Sequence, residues 1–146
     1  MMNRSALDAL KKLRDYEKEK EESELKKRAQ EESRLRLLRD AVLARIREND
    51  AQPLSATNSH GLATREAFFR DLHSQSEVIA RQLVLAAKAR TEQITKVLAA
   101  KRKCDMVEHL IENLVAAERA AADATERKRL DDFSQFQHFK RKLTLT

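Results

Sequence analysis

One glycine and one proline occur in 146 residues. These are the residues that let a backbone reverse cheaply, so a chain this poor in both turns few times and favours long, uninterrupted helices. Tryptophan is absent and aromatic residues make up 4% of the chain. That excludes the wide core of a compact globule, which relies on aromatic and branched side chains to bury area, and leaves a narrow seam as the expected buried surface. The single cysteine, Cys104, excludes an intramolecular disulfide. The N-terminus lacks the apolar stretch of a secretion signal. The longest apolar run, Leu83 to Ala87, falls far short of the ~20 residues that span a bilayer. The expectation is a cytoplasmic protein with no integral membrane segment.

Chemistry is equally sparse. The histidines, His60, His73, His109 and His138, include no pair at i, i+4, the spacing that sets two metal ligands on one helix face. One glycine cannot build a phosphate-cradling loop, and no nucleophile sits on a strained turn. Cys104 falls on an apolar stripe, with its nearest histidine, His109, on a different face, so it reads as packing. No catalytic, cofactor-binding or metal-binding residue is expected, and the chain is not expected to be an enzyme.

What the chain has in abundance is charge, at 37% of residues, with a net charge of +6. A basic balance permits nucleic acid, an anionic membrane or an acidic protein as partner. The triplets Lys101–Lys103, Arg127–Arg129 and Lys140–Lys142 are interleaved with acids along the chain, and the first two lack neighbouring aromatics for base stacking. They read as solvated helix faces, not nucleic-acid contacts. Phe133, Phe136 and Phe139 are different: three phenyl groups at i, i+3 spacing form one oblique stripe that is costly to expose. The stripe either docks on a partner or frays and self-associates.

Along the chain, Ser5 followed by Asp8 suggests an N-cap and a first helix over about 5–48. Leu7, Leu10 and Leu13 begin an apolar spacing that returns at Leu35, Leu38, Val42 and Ile46. Between them, Glu17 to Arg34 offers little to bury. Its helicity is expected to come from propensity and from pairs such as Glu22 with Lys26 and Glu24 with Arg28, making it the most easily opened part of the helix. The run 49–63 holds Pro53, Gly61 and a cluster of small polar residues, and is the expected reversal. Thr64 then caps a second helix over about 64–138, with 139–146 a frayed tail.

The second helix carries the stronger pattern. Alternating steps of three and four from Phe69 give Leu72, Ser76, Ile79, Leu83, Ala86, Arg90, Gln93, Val97, Ala100, Cys104, Val107, Ile111 and Leu114, apolar at all but Ser76, Arg90 and Gln93. A repeat of 3.5 residues held this long keeps one stripe facing another helix through left-handed supercoiling. The nearest partner is the first helix, joined through the 49–63 loop, which makes the pairing antiparallel and the effective concentration high. The fold class is therefore all-α: two long helices in an antiparallel coiled-coil hairpin, helix 2 overhanging helix 1, a single domain and a monomer when free. A homodimeric coiled-coil adaptor with basic faces, touching nucleic acid or a membrane surface, is the rival.

Three stretches carry a family resemblance: Ala6-Leu7-Asp8-Ala9-Leu10-Lys11-Lys12-Leu13, Arg34-Leu35-Arg36-Leu37-Leu38 with Phe68 to Leu72, and Arg127-Lys128-Arg129-Leu130-Asp131-Asp132-Phe133. Taken nearly end to end, the chain resembles the FliJ family, the small coiled-coil stalks of the flagellar type III export apparatus. The related stalks of virulence-type secretion systems have the same shape. The resemblance implies a non-enzymatic protein at the inner face of the cytoplasmic membrane. Its paired terminal ends would enter the hexameric ring of the export ATPase FliI, promote ring assembly and couple it to the export gate FlhA. FliH and export chaperones are further implied partners. On this sequence the ring-binding residues would be Leu7, Leu10, Leu13, Glu126, Lys128, Leu130, Asp131 and Phe133. The gate-binding residues would be Arg34, Leu38, Ala41, Arg45, Phe68, Leu72, Gln75 and Ile79.

Overall fold

The computed structural model describes residues 3–51 and 59–144. Two helices make up the described chain: α1, Arg4–Ala51, of 48 residues, and α2, Ser59–Thr144, of 86. They pack against one another antiparallel, as a helical hairpin. The direction is legible in the polar contacts. As the α2 residue rises from Arg65 through Arg90 to Gln93, its α1 partner falls from Asn49 through Glu32 to Glu21.

The helix ends differ from the expected ones. The cap of α1 is Asn3, not Ser5: its Oδ1 accepts from the Ala6 N–H at 2.8 Å, and its carbonyl accepts from the Leu7 N–H at 3.1 Å. An asparagine oxygen satisfies one of the helix's orphan N–H groups as well as serine does. Ser5 and Asp8 lie inside the helix, and Asp8 falls beyond its first turn. At the far end α1 runs to Ala51 and α2 begins at Ser59, so the break is shorter than 49–63; Pro53 lies outside the described residues. Gly61 and Thr64 are both within α2, and the Thr64 hydroxyl donates back to the His60 carbonyl at 2.9 Å instead of capping. The C-terminal segment is helical to Thr144, with Arg141 and Lys142 in its last turn, where cations suit the negative end of the helix dipole.

The residues group into two compact units, each drawing on both helices. In the unit formed by 17–101, Val42, Leu72 and Ile79 are the buried cluster, with Ile46 and Leu83 packed on it. Leu72 is 1% exposed, and burying a leucine this fully contributes about 1.5–3 kcal/mol. In the unit formed by 1–16 and 102–146, Leu7, Cys104 and Val107 are buried and Ile111 and Leu114 are half-buried. All of the α2 positions picked out by steps of three and four from Phe69 to Leu114 are buried or half-buried.

On α1 the expected apolar spacing holds in part: Leu7, Leu35, Val42 and Ile46 lie on the buried face, and Leu13 and Leu38 do not. Buried or half-buried residues recur at Leu7, Lys11, Arg14, Lys18, Glu21, Leu25, Arg28, Glu32, Leu35, Arg39, Val42, Ile46 and Asn49, an unbroken alternation of four and three. Leu10 is half-buried beside it, whereas Leu13 and Leu38 are 50% and 42% exposed. More than half of this seam is charged or polar. Long Lys and Arg stems can cover apolar surface while their heads reach water, which is how a seam of this composition packs against an apolar partner.

Candidate interaction surfaces

The polar seam residues of α1 meet two of the three polar interruptions of α2, Arg90 and Gln93, in part of the unit formed by 17–101. Gln93, 1% exposed, donates through Nε2 to the Glu21 carbonyl at 3.0 Å and to the Glu21 carboxylate. Glu32, also buried, accepts from Arg36 Nη2 at 2.6 Å, and its other oxygen lies 2.6 Å from Arg90 Nε. The Arg90 N–H is not aimed along that short contact, so the pair is held by charge more than by a directed hydrogen bond. Arg28 spans both roles: Nε pairs with Glu24 at 3.3 Å, and Nη1 donates to the Ala89 carbonyl at 2.9 Å. The middle of α1 is thus tied to α2 by cross-helix polar contacts in addition to the pairing along its own surface. Nearer the reversal, Arg65 Nη2 donates to the Asn49 carbonyl at 2.6 Å, satisfying one of the carbonyls that the end of α1 leaves without a helical partner.

The residues aligned with a gate contact divide into two groups. Leu72 and Ile79 belong to the buried cluster, so in the folded hairpin they hold the helices together and present almost no surface. Arg34, Leu38, Ala41 and Arg45 are exposed, each one position before a seam residue, and so form a stripe flanking the seam on α1. Phe68 and Gln75 flank it on α2, where Gln75 Nε2 donates to Asp71 at 3.0 Å. Arg34 is occupied on its own helix. Its guanidinium contacts both Glu31 oxygens, at 2.6 and 3.0 Å, and that hydrogen bonding, helped by the opposite charge, holds the Glu31 carboxyl below its usual value and Arg34 above its own.

The residues aligned with an ATPase-ring contact divide the same way. Leu7 is buried and Leu10 half-buried, so only Leu13 of the three leucines offers much surface. Arg4 Nη1 stands 3.7 Å from Glu118 of α2, an exposed ion pair of small energetic weight. On α2, Glu126, Lys128, Leu130, Asp131 and Phe133 are all exposed. From Ala116 to Thr144, in fact, every residue of α2 is exposed, including Leu130, Phe133, Phe136, Phe139 and Leu143. The sequence reading singled out the Phe stripe but passed over Leu143, whose step of four from Phe139 was the available signal.

Among the described residues, no His, Cys, Asp and Glu group is arranged to hold a metal ion, and no helix is long and apolar enough to cross a membrane. The class these features define is a two-helix antiparallel hairpin with a polar layer in its seam and an exposed C-terminal helical arm. In comparison with known proteins, the chain matches no family model, no curated protein and no solved structure.

Proposed function

We propose that the chain is a non-enzymatic stalk and coupling component of a flagellar-type (type III) protein export apparatus. Its partners are the hexameric export ATPase and, through a separate face, the export gate. The observation that carries this reading is the exposed arm. A helix of almost thirty residues, carrying the motif Arg127 to Phe133 that resembles the end of FliJ-family stalks, holds its side chains open to solvent. Large apolar groups displayed in this way mark an interaction site.

The mechanism is assembly, not bond chemistry. An asymmetric rod seated in a ring contacts its subunits unequally, so it stabilises some subunit arrangements over others and favours ring closure. Glu126, Lys128, Leu130, Asp131 and Phe133, with Leu13, are the residues available for the ring. Arg34, Leu38, Ala41 and Arg45 with Phe68 and Gln75 are those available for the gate. Leu7, Leu72 and Ile79 support these surfaces from within the seam.

The test is reconstitution with a purified export ATPase. The full chain should co-purify with the ring and raise its ATPase rate, and removal of 126–146 should abolish both while leaving the hairpin melting transition in place. Stimulation that survives the deletion, or a full chain that neither binds nor stimulates, would reject the stalk reading.

A further inference from the structure

From Phe133, the last residue aligned with a ring contact, α2 changes character. From Phe133 to Thr144 it contains Lys140, Arg141 and Lys142 and neither Asp nor Glu. It is helical throughout and exposed throughout. At 3.6 residues per turn, Phe133, Phe136, Phe139 and Leu143 fall within an arc of about 120°, and Ser134, Gln137, His138 and Arg141 face the other way. The four apolar side chains are 60%, 61%, 61% and 62% exposed. An amphipathic helix with phenyl and leucyl groups on one face and cations around it, free of acids, has the composition of a segment that lies in a lipid interface.

We propose that residues 133–144 form an interfacial anchor, with the face of Phe133, Phe136, Phe139 and Leu143 lying among the headgroups of an anionic bilayer, Lys140 reaching the lipid phosphates, and Arg141 and Lys142 on the polar side adding attraction to the anionic surface. Lys140 distinguishes this occupant from a second copy of the chain. It projects inside the apolar arc, between the directions of Phe136 and Phe133. Packed against the same face of a second copy, its ammonium would meet the other copy's cations with no carboxylate to pair with, since 133–144 holds no acid, whereas at a bilayer its four-carbon stem lies along the apolar face and the charge reaches the phosphates. No helix among the described residues is apolar enough to span, so the attachment proposed is to the bilayer surface. A single short face with three cations gives a modest, reversible attachment that depends on anionic lipid. The inference does not rest on the export reading, because the residues it uses lie largely beyond those aligned with the ATPase ring.

The chain contains no tryptophan, so Phe136→Trp supplies a unique reporter in the full-length protein. With vesicles of phosphatidylcholine containing about one third phosphatidylglycerol, the indole emission should shift to the blue and the protein should float with the lipid. On phosphatidylcholine alone, binding should be roughly hundredfold weaker, at about fivefold per basic side chain. Replacing Lys140, Arg141 and Lys142 together by Gln should reduce binding to anionic vesicles to that neutral level. Phe136→Ser with Phe139→Ser should abolish flotation without moving the hairpin melting transition. The proposal is overturned if the emission does not shift, if the double serine variant floats like the parent, or if the chain doubles its solution mass without lipid and loses that property on the same substitutions.

Discussion

Glu32 on α1 and Arg90 on α2 meet across the hairpin at 2.6 Å, with Arg36 held on the opposite oxygen of the same carboxylate. Removing one partner of a buried pair costs about 3–5 kcal/mol, but Arg90 is partly open to water, so Arg90→Ala should cost less, about 1–3 kcal/mol. Replacing both by leucine should bring stability to within about 1 kcal/mol of the parent, since an apolar pair avoids the desolvation of two ions. A double-mutant cycle in urea measures the coupling directly. Additive effects would show that the short contact carries no energy.

The polar layer also explains why half of the fold was legible in the sequence and half was not. On α2, eleven apolar side chains repeat at 3.5-residue spacing, and the structure buries that stripe wholly or partly from Phe69 to Leu114. On α1, many facing positions are filled by Lys11, Arg14, Lys18, Glu21, Arg28, Glu32 and Arg39, so an apolar template finds Leu7, Leu35, Val42 and Ile46 but also selects Leu13 and Leu38, which lie beside the seam. The missed clue was on the other helix. Arg90 and Gln93 interrupt an apolar stripe three residues apart, and a buried polar group needs a polar partner, so the segment opposite had to supply one. Helix ends failed for a local reason: asparagine and serine cap equally well, a helix supported by packing can run through Gly61, and the exposed arm continues past His138 with Arg141 and Lys142 complementing the dipole at its end. The interaction surfaces were legible only where exposure follows from composition, as in the Phe stripe. Leu72 and Ile79 lay on the 3.5-residue stripe from Phe69, which Phe68 and Gln75 do not, so their burial was legible, whereas the exposure of Leu38 was not.

Leu72 and Leu38 test that separation. Leu72→Ala should destabilise the hairpin by about 2–4 kcal/mol, because a fully buried leucine leaves a cavity behind it. Leu38→Ala and Phe68→Ala should each cost under about 1 kcal/mol. If those two surface variants lose gate binding while melting like the parent, the flanking stripe is the contact. Equal destabilisation at all three positions would contradict the assignment of core and surface.

Cys104 reports on the other unit. It is buried on the seam, so a thiol reagent should modify the native protein at least roughly tenfold more slowly than the unfolded chain, with the rate following local opening. The rate should rise with urea in step with the loss of helicity. Immediate modification in buffer would place the thiol at the surface.

Glu31 and Arg34 set a pH signature. The Glu31 carboxyl is held low by hydrogen bonds from Arg34 and by its charge. Its favourable contribution is present above the unfolded carboxylate value and is lost as pH falls through the lowered folded value. The pair is exposed, so salt should weaken it. A carboxyl NMR titration should place Glu31 below an unperturbed glutamate, and Arg34→Ala should return it there. An unchanged midpoint in the variant would assign the shift to some other group.

The account depends on the chain doubling back on itself, and intramolecular distance is its most direct measure. Spin labels at Leu13 and His109, both exposed and both in the unit that joins 1–16 to 102–146, flank helices whose axes should lie about 8–10 Å apart. Pulsed dipolar spectroscopy should give a single short distance, within about 25 Å once label arms are included, and it should persist when labelled protein is diluted with unlabelled chain. A distance far beyond that, or a short one that vanishes on dilution, would contradict the hairpin and the function built on it.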